Sequence, residues 1–257
     1  MTDYVFGFDI SRWQYNEDLT YVFDWKKAKA KGIRFAGIRA TVGDYYTDAT
    51  LERNVKGAQD HDIIPMPYTV PAYHDGSVNQ RIIKPVDAID RYMNAIAKYD
   101  IEDAAHVLDL EIVRGGNTKT GACYKQTAVE LLKHIPFFTW YTNANVGQNV
   151  MAGHAAFWNK YLAWIANYTT AAEPYLADWM DGWEGWQYTK TAKGSDYGAW
   201  SASIDLDWMR PAMFDVISKG VPPVVPPVEP PVPQPDTIQA SITIDGKVYA
   251  GTLLRKD

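Results

Sequence analysis

The chain has 257 residues, enough for one large barrel or two ordinary domains. Its formal net charge is −6 and its pI is about 5.4, which argues against nucleic acid as a partner because phosphate binding relies on a basic face. Hydrophobic residues make up 47% and charged residues 22%, as in a globular protein, and no apolar run is long enough to predict stable membrane insertion.

The composition also excludes common metal and disulfide chemistry. Cys123 is the single cysteine, so an intramolecular disulfide and a cysteine-based metal site are both excluded. The five histidines lack the spacing of metal ligands, and we expect neither a metal nor a cofactor. The first residues lack a basic segment followed by an apolar run, so we expect synthesis in the cytoplasm without a signal peptide.

Short apolar runs predict eight strands, at residues 5–9, 33–41, 63–70, 106–112, 137–142, 161–166, 183–188 and 203–206. Helical spacing and end signals predict helices at residues 24–31, 50–60, 86–99, 124–134, 148–158 and 207–218. This alternation indicates a parallel sheet, and eight strands favour a closed barrel. The predicted fold class is therefore α/β, a (β/α)8-like barrel that is irregular after the sixth strand, where fewer helices are predicted.

The C-terminal part of the chain has a different composition. Residues 221–235 include eight prolines, which predict a stiff polyproline II spacer of up to about 45 Å rather than a ligand for an SH3-type domain. Two β-rich runs, 238–244 and 247–253, flank Asp245-Gly246 and predict a hairpin. We therefore divide the chain into a large domain at 1–220, a Pro-rich linker at 221–235 and a short β-rich tail at 236–257.

An isolated hairpin is marginally stable in water, so the tail is expected to have a partner. We favour self-association into a homo-oligomer through residues 236–257. Docking on another surface, binding to cell wall and a loose tail are the alternatives.

Two carboxylates, Asp109 and Glu111, lie in the fourth predicted strand. Side chains two positions apart on a strand leave it on the same face, and burial and like charge both raise the pKa of such acids. Glycoside hydrolysis needs one protonated and one ionised carboxyl group in this arrangement. The alternative is a pair of acids that face solvent on an edge strand. Taken alone, the tripeptide Asp109-Leu110-Glu111 favours this alternative.

Seven segments together resemble the glycoside hydrolase family 25 lysozymes, the Chalaropsis type common among bacteriophage endolysins. They occur in the family's order over about residues 4–210: GFDISRWQ at 7–14, FAGIRATVG at 35–43, DATLERNVKGA at 48–58, VLDLE at 107–111, LAWIANY at 162–168, WQY at 186–188 and IDLD at 204–207. The chain departs from the family's Tyr-His-Phe in the third strand, where Tyr68 is followed by threonine and valine. The family's closing pattern is V-D-L-N, and Asp207 stands at its last position.

The resemblance implies a lysozyme that hydrolyses the β-1,4 bond between N-acetylmuramic acid and N-acetylglucosamine in bacterial peptidoglycan. It also implies a phage endolysin that causes host cell lysis after release, through a holin-type pore. One competing interpretation is a chitinase-like barrel, which would need acids at positions 104 and 107, where the chain has Ala104 and Val107. A non-catalytic cell-wall-binding protein, or a scaffold assembled through the tail, is the other.

Four acids are the predicted catalytic residues. In such barrels the active site lies at the C-terminal ends of the strands, where Asp9, Glu111 and Asp205 are expected to meet Asp109. Glu111 is expected to be the general acid and Asp109 its ionised partner. Asp9 and Asp205, which taken singly could be helix caps, are expected to hold sugar hydroxyls, water or the protonation state of Glu111. Direct attack, attack by the substrate acetamide and attack by water all stay open.

Four aromatic residues are the predicted substrate-binding groups: Tyr68, Tyr141, Trp164 and Trp186. Each could instead pack in the core, where most large aromatic side chains are found. Arg39, on the second predicted strand, is expected to form an internal ion pair rather than to act as a catalyst.

Overall fold

The structure, a computed structural model, describes residues 4–71, 83–99, 101, 104–111, 118–219, 237–244 and 247–254. The chain forms two compact units, Met1–Pro223 and Val224–Asp257. No helix among the residues described is long and apolar enough to span a membrane.

Eight strands of the first unit close into a barrel, and all eight predicted strands are confirmed. They are β1 (Val5–Ile10), β2 (Phe35–Val42), β4 (Ile64–Val70), β5 (His106–Asp109), β6 (Phe138–Asn143), β7 (Leu162–Ala166), β8 (Gly185–Lys193) and β9 (Ser203–Met209). Their order around the barrel is β1-β9-β8-β7-β6-β5-β4-β2, and pairing of β1 with β2 closes it. A short strand that was not predicted, β3 (Tyr46–Thr47), pairs with the end of β2.

Helices follow most of the strands. They are α1 (Trp25–Ala30), α2 (Leu51–Gln59), α3 (Pro85–Ile96), α4 (Thr118–Leu131), α5 (Ala144–Val146), α6 (Ala155–Trp158) and α7 (Pro211–Lys219). Asp24 caps α1 by accepting a hydrogen bond from the backbone N–H of Lys27. The single helix predicted at 148–158 is wrong, because a π-helical turn (Gly147–Met151) and a 3₁₀ turn (Ala152–His154) separate α5 from α6.

The last strand runs opposite to its neighbours, which corrects the expectation of an all-parallel sheet. β9 is antiparallel to both β8 and β1, whereas the other pairs of neighbouring barrel strands are parallel. Residues 194–202 join β8 to β9, and a parallel return needs a crossover of about a dozen or more residues. β9 also continues to Met209, so the helix predicted from residue 207 begins only at Pro211, a favoured first helical residue.

Alternation along the strands divides the side chains between the barrel interior and the outer core. In β1, Phe8 and Ile10 are fully buried in the larger apolar cluster, which includes Trp25 and Ala28 of α1. A second cluster contains Phe35, Met66, Val107 and Met209, and two residues of α7, Met213 and Ile217, belong to it. The interior is thus packed with apolar side chains on the α7 side, and polar strand residues are left to form a site elsewhere in the barrel.

The second unit contains the predicted hairpin. β10 (Thr237–Ile244) pairs antiparallel with β11 (Lys247–Leu254), and Ile244 lies opposite Lys247. The predicted turn, Asp245-Gly246, lies outside the described residues, as does the proline run at 221–235.

Candidate active site

A cavity of about 480 Å³ opens at the end of the barrel where the parallel strands terminate. Its lining comes from the barrel strands and from the segments that follow β1 and β5: Asp9, Ser11, Trp13, Gln14, Gly37, Arg39, Val42, Tyr68, Val70, Val107, Asp109, Glu111, Tyr141, Trp164, Gln187 and Asp205. Gly37 keeps this space open, because a Cβ there would lie 3.0 Å from Asp9 and 3.3 Å from the Trp164 ring.

The structure brings the four predicted acids together in this cavity. Asp9 and Asp205 are direct partners in the β1–β9 pairing, and Asp109 is the last residue of β5. Glu111 lies two residues beyond β5, which is shorter than predicted, and its side chain is exposed in the cavity. Leu110 still follows the direction of β5, because its N–H donates to the carbonyl of Tyr141 and its carbonyl accepts from Thr142.

Burial raises the pKa of all four acids, and their mutual repulsion adds to this for three of them. The pKa of Asp9 is raised to about 8, first by burial and then by the charge of Asp205. Burial and then Asp205 raise the pKa of Glu111, and burial raises that of Asp205, while Lys190 lowers both. Asp9, with a pKa of about 8, therefore favours the protonated form at neutral pH, and the pKa values of the other three acids are shifted in the same direction.

Asp109 differs from expectation. Burial, followed by the charges of Glu111 and Asp9, raises its pKa well above the ordinary value. Its Oδ1 is buried and has no hydrogen-bond partner among the described residues. This environment argues against the expected ionised Asp109 in the free site, because no described residue donates to that oxygen to offset the cost of burying a charge.

Gln187 of β8 links three other side chains of the site. Its Nε2 donates to Oδ2 of Asp9 at 2.6 Å, and its Oε1 accepts from the hydroxyls of Tyr141 at 2.9 Å and Tyr168 at 2.6 Å. The hydrogen bond from Gln187 lowers the pKa of Asp9 and so opposes burial there. Gln187 itself is only 3% exposed.

Arg39 forms the predicted internal ion pair. Its Nε lies 2.8 Å from Oδ2 of Asp48, which is buried and also accepts from the backbone N–H of Arg12 and from Thr50. Because Arg39 also lines the cavity, its charge lowers the pKa of Asp9 and of Asp109. It is the only arginine among the cavity-lining residues described.

Three of the four predicted aromatic residues line the cavity. Tyr68, Tyr141 and Trp164 do so, and Trp164 donates from Nε1 to Oδ1 of Asp207 at 3.0 Å. Trp186 does not, so its predicted sugar contact is wrong. It is 1% exposed, donates to the carbonyl of Asn167 and packs in the outer core, since its side chain leaves β8 on the opposite face from that of Gln187.

Sequence reasoning missed several residues that belong to the site or support it. Gln187 lies inside the WQY segment, and Trp13, which is 63% exposed at the cavity, lies inside the first one. For Asp207 the sequence offered a signal, because this acid stands where the family pattern has asparagine. It is fully buried beside Asp9, and burial followed by the charge of Asp9 raises its pKa well above the ordinary value.

Among the residues that the structure describes, no group of three or more histidine, cysteine, aspartate or glutamate side chains could hold a metal ion. What the arrangement offers is several carboxyl groups of elevated pKa in one cavity, among aromatic and amide side chains that can contact a sugar.

Comparison with known proteins identifies relatives that match most of the chain. The family model "Glycosyl hydrolases family 25" matches residues 8–197. Lysozyme M1 of Streptomyces globisporus is 25% identical over 218 residues, which cover 79% of this chain and 67% of that protein.

Solved structures share the fold at lower identity. A bacterial lysozyme from Streptomyces coelicolor superposes with a TM-score of 0.67 at 20% identity, covering 84% of this chain and 98% of that one. The CTP1L endolysin superposes with a TM-score of 0.65 at 21% identity, covering 83% of this chain and 69% of that one.

Proposed function

From the premise that the chain belongs to glycosyl hydrolases family 25, and so is a glycoside hydrolase of the lysozyme type, we propose that it cleaves bacterial peptidoglycan. The bond that we propose is the β-1,4 linkage between N-acetylmuramic acid and N-acetylglucosamine. The observation that carries this proposal is the exposure of Glu111 in the cavity, beside the more deeply placed Asp109, Asp9 and Asp205.

We assign the proton donor to Glu111. A general acid must reach the glycosidic oxygen and hold its proton near the working pH. Glu111 is exposed at the cavity, so a substrate can reach it, and partial burial of its carboxyl group followed by the charge of Asp205 raises its pKa and so favours the protonated acid. Transfer of this proton to the leaving sugar leaves a carboxylate that can then accept a proton from water.

Asp109 is proposed to face the positive charge that develops on the sugar. Burial raises its pKa in the free site, so we propose that Asp109 gives its proton to water as substrate binds, and that the resulting carboxylate stabilises the oxocarbenium-like charge that forms as the bond breaks. Asp9 and Asp205, directly opposite each other at the same mouth, are proposed to hold sugar hydroxyls or water.

The test is digestion of purified Gram-positive cell walls. The wild-type protein should clear them, and Glu111→Gln should lower the rate by at least about 100-fold, because glutamine cannot donate a proton to the leaving group. Both proteins should unfold at the same temperature. Mass spectrometry should find muramic acid at the reducing ends, and reducing-end glucosamine would contradict the bond assignment. A wild-type protein that binds walls without clearing them would favour the non-catalytic alternative.

We further propose the biological role of a phage endolysin. The fold shared with the CTP1L endolysin supports this role. Expression inside a susceptible bacterium should cause lysis when a holin-type pore is co-expressed and leave the cells intact without it. Lysis of equal speed without the pore would exclude this exit route.

For the rest of the chain, we propose that 1–220 is the catalytic domain, 221–235 the spacer and 236–257 the oligomerisation element. The support for the last is that β10 and β11 form a two-stranded sheet of their own. A two-stranded sheet is marginal in water and has unpaired edges that can pair with a second copy.

A further inference from the structure

The amide of Gln187 is held at both ends. Oε1 accepts two hydrogen bonds, from Tyr141 and Tyr168, and Nε2 donates one to Oδ2 of Asp9. An amide oxygen only accepts and an amide nitrogen only donates, so two phenol donors at Oε1 leave Nε2 facing the carboxyl group. The three bonds join β6, β8, β1 and the segment after β7, which are far apart in sequence.

We propose that Gln187 is a positioning residue for the hydrolysis, which holds Asp9 through a donated hydrogen bond at Oδ2 and leaves Oδ1 for the substrate. Asp9 lines the cavity, and a buried carboxyl group without this bond would be free to rotate. The inference rests on the proposed function, because it assigns Gln187 a role only if Asp9 contacts the sugar or the attacking water.

The surroundings of Asp9 explain why such a holder is needed. Titratable or charged side chains interact with it from five other barrel strands and from the segments after β5 and β7: Arg39, Tyr68, Asp109, Glu111, Tyr141, Tyr168, Asp205 and Asp207. The carboxylates among them repel an ionised Asp9, and Gln187 and Arg39 oppose that repulsion by lowering its pKa.

Tyr168 extends this network to the protein surface. It is 48% exposed, and the Nζ of Lys190 lies 4.9 Å from the centre of its ring. Tyr141, in contrast, is 9% exposed. The hydrogen-bond chain therefore links a surface hydroxyl group, through Gln187, to the carboxyl group of Asp9.

The experiment compares two substitutions at Gln187 with the same two at Gln148. Gln148 offers a matched control, because its Nε2 also donates to an aspartate, Asp178 at 3.2 Å, but neither residue lines the cavity. Gln187→Met removes both the donor and the acceptor. Gln187→Glu keeps an oxygen that can accept hydrogen bonds from the two tyrosines. It can form a hydrogen bond with Asp9 only while one proton is shared between the two carboxyl groups.

We expect Gln187→Met to lower kcat/KM on solubilised peptidoglycan by about 10-fold, mainly through kcat, as for loss of one hydrogen bond in the site. Gln187→Glu should be active at acidic pH and lose activity as pH rises. Its alkaline limb should lie at a lower pH than that of the wild type. Because a new carboxyl group at 187 perturbs its acidic neighbours in any case, the readout that separates the two roles is kcat of folded Gln187→Met, which a purely structural role would leave at the wild-type value. Gln148→Met and Gln148→Glu should match the wild-type profile.

Two results would overturn the inference: Gln187→Met with wild-type kcat/KM, or a folded Gln187→Glu with the wild-type pH profile. If Gln187→Met does not fold, the pH profile of Gln187→Glu still tests the positioning role. Tyr168→Phe tests it as well, because we expect this variant to lose kcat/KM to a smaller extent. A wild-type protein without activity on peptidoglycan would reject the proposed function instead, so the two failures are distinguishable.

Discussion

Asp9 and Asp205 lie directly opposite each other on antiparallel strands, one on the first strand of the barrel and one on the last. Directly opposite residues of an antiparallel pair project from the same face of the sheet with Cβ atoms about 5 Å apart. The reversal of β9 therefore puts Asp205 near the start of its strand, and still at the mouth where the parallel strands end. This close pair is one reason why the pKa of Asp9 is raised.

The buried acid Asp207 is expected to weaken the fold as pH rises. Its pKa in the folded protein is raised well above the ordinary value by burial and then by Asp9, so its stabilising contribution is fully present below the unfolded pKa of about 4 and is lost as pH rises through the folded pKa. Asp207→Asn should keep the bond from Trp164 and remove this dependence.

The measurement for Asp207→Asn is the free energy of unfolding of variant and wild type from about pH 4 to pH 8. The difference should grow in favour of the variant by up to about 1.4 kcal/mol per pH unit. A difference that stays constant across this range contradicts a protonated Asp207.

Removal of Lys190 should move the alkaline limb of activity. The charge of Lys190 lowers the pKa of Glu111 and of Asp205, and the proposed general acid must hold its proton. Lys190→Met should therefore shift the alkaline limb of kcat/KM to higher pH, and the shift should be small because the lysine is exposed and screened.

Lys193→Met is the matched control for Lys190→Met, since Lys193 is an exposed lysine of the same strand and does not line the cavity. Its profile should match the wild type, and high salt should reduce the shift in Lys190→Met. A shift of the limb to lower pH would contradict the assignment of Glu111 as the acid.

Trp186 is expected to matter for stability and not for substrate. Trp186→Phe should lower the free energy of unfolding by about 2 kcal/mol, because it leaves a cavity in the outer core and removes the bond to Asn167. The KM for peptidoglycan fragments should be unchanged. Tyr68→Phe, at a residue that lines the cavity, should instead lower kcat/KM. A raised KM in Trp186→Phe would restore the sugar-contact interpretation.

The tail is expected to control assembly. Removal of residues 221–257 should convert an oligomer into a monomer in sedimentation experiments, because the unpaired edges of the hairpin are lost with it. Activity per active site on small soluble fragments should be kept. A full-length chain that sediments as a monomer would contradict this proposal, and retention of a tail fusion on cell walls would support the wall-binding alternative.

Local pattern alone determined much of this protein. Each barrel strand was predictable because a short apolar run is a local feature of consecutive residues. The hairpin was predictable because Asp245-Gly246 separates two β-rich runs. The positions of Asp9, Asp109 and Glu111 at strand ends followed from the same runs. Since parallel strands of a barrel all end at one mouth, the sequence was enough to place these acids together.

Tertiary structure alone decided how these groups work. Which strands become neighbours determines the direction of β9, the burial of Asp207 and the orientation of the Trp186 side chain toward the outer core. No local pattern contains that information. The hydrogen bond from Gln187 to Asp9 joins residues 178 positions apart. Protonation follows from the same cause, because a carboxyl group's pKa is set by the burial and the charges around it in space, whereas sequence spacing determines only which acids can share a face.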